Sequence, residues 1–286
     1  MDLKGQHIMI TGGSQGIGLA CARSCLRAGA RVTIAARGVE FLNTARESFQ
    51  TEGFGSDIFS VTCDVSKDED ISRLYDSAQT KFGDIKGVIH AAAILGAIGK
   101  ITDVDSLAWW ETVRVNLYGS FLVMREAARR MIASGGGRIV TFAGGGASYP
   151  FPNYTAYAVG KAALVRFVET AAIELAPANI EINAVSPGFV ITKMHQSTIA
   201  AGPSAASAEY FERTKAEIQS GGIPPEIGAN VATFLITSAA QGITGKLVAA
   251  QYDNVSNWSQ HLAELRDTDI FTLRRILPKD RGMSWQ

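Results

Sequence analysis

Tyr157 and Lys161 stand four residues apart in Tyr157-Ala-Val-Gly-Lys161. On a helix, positions four apart share a face, separated by about 40°. An ammonium beside a phenol favours the phenolate and lowers the tyrosine pKa. Tyr157 is therefore a candidate general acid or base for a carbonyl/alcohol pair, with Lys161 as its partner. The spacing alone is common, so its weight comes from its place in the chain. Asn116, in Val115-Asn116-Leu117, falls inside a helical pattern where asparagine is a poor helix former, and it is the third candidate.

A second chemical signal lies at the other end of the chain. An apolar strand-length run leads into Thr11-Gly12-Gly13-Ser14-Gln15-Gly16-Ile17-Gly18, and a helical pattern follows. Glycines let the backbone turn sharply and approach a pyrophosphate, and a helix N-terminus offers free N–H groups and partial positive charge. The loop follows the first strand and opens the first helix, which makes the reading far stronger than a glycine run alone. The second strand ends Ala35-Ala36-Arg37. Enzymes that prefer NAD place a carboxylate near there for the ribose hydroxyls. Ala36 offers none, while the Arg37 guanidinium can bind a 2′-phosphate. The expected cofactor is NADP(H), with NAD(H) as the alternative.

These residues must be positioned by alternating elements. Strand-length apolar runs cover 7–10, 32–35, 58–62, 87–91, 138–142, 181–185 and 246–249, with helical patterns near 16–28, 39–52, 68–82, 106–134, 155–176 and 225–238. Such alternation predicts right-handed βαβ units and an α/β fold, a doubly wound seven-stranded parallel sheet (Rossmann-like) with helices on both faces. One domain is expected over 1–253. A Gly, Ala and Ser-rich stretch at 193–222 interrupts the repeat and reads as a mobile, lid-like insertion. Residues 254–286 read as an extension that packs on the domain or on a neighbouring subunit.

Thr-Gly, three residues, then Gly-x-Gly, combined with Tyr-x-x-x-Lys after the fifth strand, resembles the short-chain dehydrogenase/reductase family over about residues 5 to 250. The resemblance implies a nicotinamide-dependent oxidoreductase. It implies that Asp64 of Cys63-Asp64-Val65 touches the adenine, that Asn116 holds a relay water, and that Lys161 also reaches the nicotinamide ribose. Pro187, Gly188, Val190 and Thr192, after the sixth strand, would lie against the nicotinamide. The expected dinucleotide site is then Gly12, Ser14, Gln15, Gly16, Ile17, Gly18, Arg37, Asp64, Val65, Ala91, Ala92, Tyr157, Lys161 and the 187–192 segment.

The chain departs from the family pattern at two places. The family commonly reads Asn-Asn-Ala-Gly at the fourth strand, where this chain has His90-Ala91-Ala92-Ala93, and His90 is expected to be a structural hydrogen-bonder. The family's catalytic serine, thirteen residues before the tyrosine, is Gly144 here. A comparable lost oxyanion donor costs roughly 2.7–4 kcal/mol. Ser148 could substitute, backbone N–H groups of Gly144-Gly145-Gly146 could, or the catalysis is weakened. Three functions follow: carbonyl/alcohol interconversion with Tyr157 as acid/base, modification of a sugar or nucleotide sugar, or a cofactor-binding sensor or scaffold. The residues expected to shape a substrate pocket are Ile94, Leu95, Trp109, Tyr149, Phe151, Tyr154 and Met194.

Bulk composition narrows the partners. The 286 residues carry 27 basic and 27 acidic side chains. A nucleic acid or an anionic membrane calls for a basic excess, so a small molecule is the expected partner. The N-terminal residues lack an apolar run of signal-peptide length, which predicts a cytoplasmic location. Neither the three cysteines nor the four histidines have metal-ligand spacing, and no metal is expected. The family resemblance implies a homodimer or homotetramer through the helices near 106–134 and 155–176. In the tail, Arg266, Arg274, Arg275, Lys279 and Arg281 are either solvated charges or phosphate ligands for a nucleotide-linked substrate.

Overall fold

Short runs rich in Ile and Val pair side by side into one parallel sheet, because no run offers a polar face that water could cover. The structure, a computed structural model, describes residues 1–285. The chain runs β1 (His7–Thr11), α1 (Gly16–Arg27), β2 (Arg31–Ala36), α2 (Val39–Thr51), β3 (Ile58–Thr62), α3 (Asp68–Phe82), β4 (Ile85–His90), α4 (Ser106–Val113), α5 (Gly119–Ala133), β5 (Gly137–Phe142), α6 (Thr155–Leu175), β6 (Ile180–Ser186), α7 (Lys193–Ala206), α8 (Ala208–Gln219), α9 (Pro225–Leu235), β7 (Leu247–Ala249) and α10 (Leu262–Asp267). The sheet order is β3-β2-β1-β4-β5-β6-β7, and every pairing is parallel. The order reverses between β1 and β4, where a crevice opens beyond the strand C-termini.

Alternation along each strand splits the core into two layers. Ile8 and Ile10 of β1, with Val140 and Phe142 of β5, face α1, α2 and α9. Met9, Ile139 and Ile182 face α3, α5 and α6. Both layers are large and apolar, so the sheet is held as a stiff plate.

Two elements differ from the sequence reading. The helix expected over 106–134 is broken by a five-residue π-helical turn, Arg114–Tyr118, between α4 and α5. A π turn holds one residue more than an α turn, and Asn116 sits inside it. The stretch expected to be a mobile insertion is two helices. Thr192 caps α7 and Ser207 caps α8 through their side-chain oxygens. Gly202, at φ 76°, bends α7 ahead of Pro203.

The tail lies against the open edge of the sheet. The Leu247 N–H donates to the Phe271 carbonyl at 2.8 Å, and the Lys246 ammonium donates to the Ile270 carbonyl at 3.0 Å. Trp258 stacks on Phe271 with centroids 4.3 Å apart. The Leu273 N–H donates to Glu169 of α6 at 2.6 Å. Among the described residues, no helix is long and apolar enough to cross a membrane.

Candidate active site

The glycine loop turns directly off β1. Gly12 has φ +69°, and a β-carbon there would stand 2.7 Å from the Ala92 nitrogen, so the loop presses onto the end of β4. Gln15 precedes α1 with no side-chain cap, and the first turn of α1 has no acidic residue. Its N–H donors and positive dipole end are left for an anion. Ser14, Gln15, Gly16, Ile17 and Gly18 ring this end. A β-carbon on Gly16 would touch Thr192 Cγ2 at 3.4 Å, which brings the 187–192 segment over the loop. Val190 is buried beneath it, and Pro187 packs on α9 at Gly228. Arg37 is exposed at the end of β2. Asp64, next along the edge, accepts from the Ser66 amide at 3.0 Å and the Ser66 hydroxyl at 2.7 Å. Burial raises its pKa, but those bonds and the nearby Arg37 and Arg114 charges outweigh burial and hold the carboxyl below its ordinary range. Val65 is buried against Gly119, and Ala91 and Ala92 are half-exposed at the end of β4. An uncapped helix N-terminus, a glycine turn pressed onto β4, and a cation at β2 fit a dinucleotide phosphate.

The three candidate catalytic residues converge on the carboxyl end of β5. Lys161 is buried, and its ammonium donates to the Phe142 carbonyl at 2.7 Å. It lies 5.7 Å from the centroid of the Tyr157 ring. Asn116 meets this helix at Gly160, where a β-carbon would be 3.3 Å from Asn116 Cβ. Gly144 faces Tyr157.

The electrostatics run opposite to the expectation for the tyrosine. Burial pushes the Tyr157 phenol above its ordinary value, with Tyr210 adding to the rise. The same burial pushes Lys161 down to about 8. Desolvation disfavours both charged forms here. The result is a protonated phenol beside an ammonium whose charged form burial has made less favourable.

The Asn116 side chain is fully engaged with the loop after β4. Its Oδ1 accepts from the Ile94 N–H at 2.8 Å, and its Nδ2 donates to the Ile94 carbonyl at 2.7 Å. The side chain therefore fixes the loop after β4. The main-chain carbonyl of Asn116 accepts from the Ser120 hydroxyl at 2.6 Å. His90 is 2% exposed, and both its ring nitrogens are bonded, to Thr11 at 2.7 Å and Ser120 at 2.8 Å.

Around Tyr157 the structure gathers a largely apolar, aromatic cluster. Phe151 stacks on Tyr154 at 4.3 Å and meets Tyr157 edge-on at 6.2 Å. Tyr210, from α8, meets Phe151 edge-on at 4.7 Å and Tyr154 at 5.2 Å. Leu95, Ile98, Met194, Ala206 and Phe211 complete the cluster. Tyr154 donates to Thr198 of α7 at 3.1 Å. Of the residues expected to shape a pocket, Leu95, Phe151, Tyr154 and Met194 are in the cluster. Trp109 instead donates to Thr155 at 3.0 Å, Ile94 packs into the core below the sheet, and Tyr149 is 75% exposed. Tyr210 escaped the sequence reading because only the fold of α7 and α8 returns it to Tyr157. Ser148 is exposed at the end of a short 3-10 turn. In the tail, Arg274 is paired with Asp269 at 2.9 Å and Asp280 at 2.6 Å, and Arg266 with Asp267 at 2.8 Å.

Comparison with known proteins agrees with this fold. The family described as "Enoyl-(Acyl carrier protein) reductase" matches residues 12–251. A relative from Sus scrofa, "Dehydrogenase/reductase SDR family member 4", is 31% identical over 86% of both chains. The "2-(S)-hydroxypropyl-CoM dehydrogenase 3" of Xanthobacter autotrophicus is 33% identical over 86% of this chain and 95% of its own. Among solved structures, an NAD+-bound xylitol dehydrogenase superposes with a TM-score of 0.80 at 27% identity, covering 87% of this chain and 98% of its own. An actinorhodin polyketide ketoreductase with NADPH gives a TM-score of 0.77 at 27% identity, over 85% and 95%. With its seven-stranded parallel sheet and these relatives, the chain belongs to the short-chain dehydrogenase/reductase family and is an oxidoreductase.

Proposed function

We propose that the chain interconverts an uncharged carbonyl compound and its secondary alcohol, with NADP(H) preferred, and that the substrate carries an apolar or aromatic group. The observation that supports this best is the Tyr157 phenol, set against Gly144 on one side and the Phe151–Tyr154–Tyr210 cluster on the other, with Lys161 beneath. Bound nicotinamide supplies or accepts the hydride. Tyr157, kept protonated by burial, donates its proton to the carbonyl oxygen in the reductive direction. Lys161 faces the phenolate left behind and stabilises it. The aromatic cluster orients the substrate and excludes water. Cofactor contacts come from the uncapped α1 N-terminus, Arg37, Asp64, Val65, Ala91, Ala92 and the 187–192 segment. Helices α7 and α8 act as the lid, since Tyr210 and Thr198 meet the cluster from that side.

The reductase and dehydrogenase relatives support carbonyl/alcohol chemistry. The neighbours include both an NAD+-bound and an NADPH-bound enzyme, so the NADP(H) assignment is carried by Ala36 and Arg37 of this chain. Arg274 and Arg266 are already paired with carboxylates, which makes those two poorer ligands for a substrate phosphate at the tail. Exposed Trp110 on α4, Tyr118 on the π turn and Val159 on α6 support association of copies through these elements. The test is nicotinamide absorbance with wild type and Tyr157→Phe, using NADPH and NADH against aliphatic ketones, aryl ketones, β-ketoacyl thioesters and keto sugars. Tyr157-dependent turnover of the apolar ketones with NADPH is the expected result. NADPH binding with no Tyr157-dependent turnover would favour a sensor or scaffold.

A further inference from the structure

β1 and β4 are neighbours in the sheet, with Thr11 in register with His90. Thr11 Oγ1 lies 2.7 Å from His90 Nδ1, His90 Nε2 lies 2.8 Å from Ser120 Oγ, and Ser120 Oγ lies 2.6 Å from the Asn116 carbonyl. All three side chains are buried. The chain has a fixed direction. A carbonyl oxygen only accepts, so the Ser120 hydroxyl donates to Asn116. Its single proton is then used, and His90 Nε2–H must donate to Ser120. His90 Nδ1 is left bare and accepts from the Thr11 hydroxyl. The imidazole is neutral and held as one tautomer. Burial and the Lys161 charge, which push its pKa down to about 3, are consistent with that state.

The two ends of this chain are the two halves of the candidate site. At one end, Thr11 leads into Gly12, and its carbonyl takes the Ala91 N–H at 3.0 Å. At the other, Asn116 packs on Gly160, the residue before Lys161, from within the π turn. We propose that His90 is a positioning residue, the middle link of a one-way hydrogen-bond chain through which the dinucleotide loop sets Asn116 against the helix that carries Lys161. This rests on the reading of Tyr157 and Lys161 as the reacting pair. A histidine that only filled the core would tie together strands, and its loss would lower stability without uncoupling the two segments.

Hydrogen–deuterium exchange of residues 112–122, with and without NADPH, tests the coupling without any substrate. NADPH slows exchange there in wild type, and the response is lost in His90→Leu and in Ser120→Ala, while NADPH affinity changes by less than about threefold. With a ketone that wild type turns over, kcat in either variant falls about tenfold at nearly constant KM, and the double variant is no worse than the single ones. Ser120→Ala removes one oxygen and carries the test if His90→Leu fails to fold. An unchanged NADPH response at 112–122 in a folded variant would overturn the proposal. So would an unchanged kcat. Absence of turnover in wild type would count against the proposed reaction alone, because the exchange measurement still decides the coupling.

Discussion

A β-carbon on Gly144 would stand 2.6 Å from the Tyr157 phenol oxygen, inside van der Waals contact. Gly144 is itself extended, at φ −172° and ψ 171°, a conformation open to any residue. The backbone therefore does not call for glycine here; the phenol does. Where the family has a serine hydroxyl, this chain leaves the space beside the phenol free of any side chain. Gly144→Ala is expected to displace Tyr157 and lower kcat about tenfold or more, with little loss of stability. Gly144→Ser should do no better than Gly144→Ala. Initial rates together with thermal melts check both, and a serine variant faster than wild type would show that the missing hydroxyl matters more than the phenol's position.

Lys161 gives a pH signature. Its ordinary value of 10.5 falls to about 8 on burial. Between those values the unfolded chain binds more protons than the folded one, so stability from this group rises with pH across that window. Below it, both states carry the charge and the folded state bears the full burial cost. The effect is of the order of 3 kcal/mol. Urea titrations of wild type and Lys161→Met at about pH 7 and about pH 10 should show wild type gaining that much relative to the variant. A pH-independent difference would mean the ammonium is well solvated.

Tyr210 reports on the lid. Its ring meets Phe151 and Tyr154 edge-on, and such pairs are worth about 0.5–1.5 kcal/mol beyond burial. Tyr210→Ala is expected to raise KM for an aryl ketone about tenfold and to leave a small aliphatic ketone nearly unaffected. Equal losses on both would place the lid's role in closure rather than in recognition.

Arg37 carries the cofactor assignment. Charge-assisted hydrogen bonds are worth about 1.5–3 kcal/mol, so Arg37→Asp should weaken NADPH about tenfold to a hundredfold and spare NADH. Nicotinamide fluorescence titrations measure both affinities directly. Equal weakening of the two would mean that Arg37 is a general anion attractor.

What could be read from the amino acids was local. The glycine loop lies in one turn, and Tyr157 and Lys161 lie on one helix, so spacing was enough to group them. Apolar runs of strand length likewise announced the sheet. The π turn at Arg114–Tyr118 was hidden, because apolar spacing continues on both sides and a single extra residue leaves no compositional trace. Residues 193–222 read as a mobile insertion for their Gly, Ala and Ser, yet alanine is the best helix former and Thr192 and Ser207 cap the two helices. The Thr11–His90–Ser120 chain joins residues 79 and 30 positions apart. Tyr210 lies more than fifty residues from Tyr157. Contacts of that kind depend on the closed fold, and no sequence window contains them.

The tail's bond to β7 has a consequence for handling the molecule. β7 is three residues long and is the last strand of the sheet, so its outer N–H and C=O groups would otherwise face water. Bare strand edges recruit other chains into mixed sheets and precipitates. Phe271, by accepting from Leu247, acts as a stopper on that edge, and Trp258 holds the stopper in place. A version shortened to its catalytic core would keep every residue around Tyr157 and still prove hard to keep in solution.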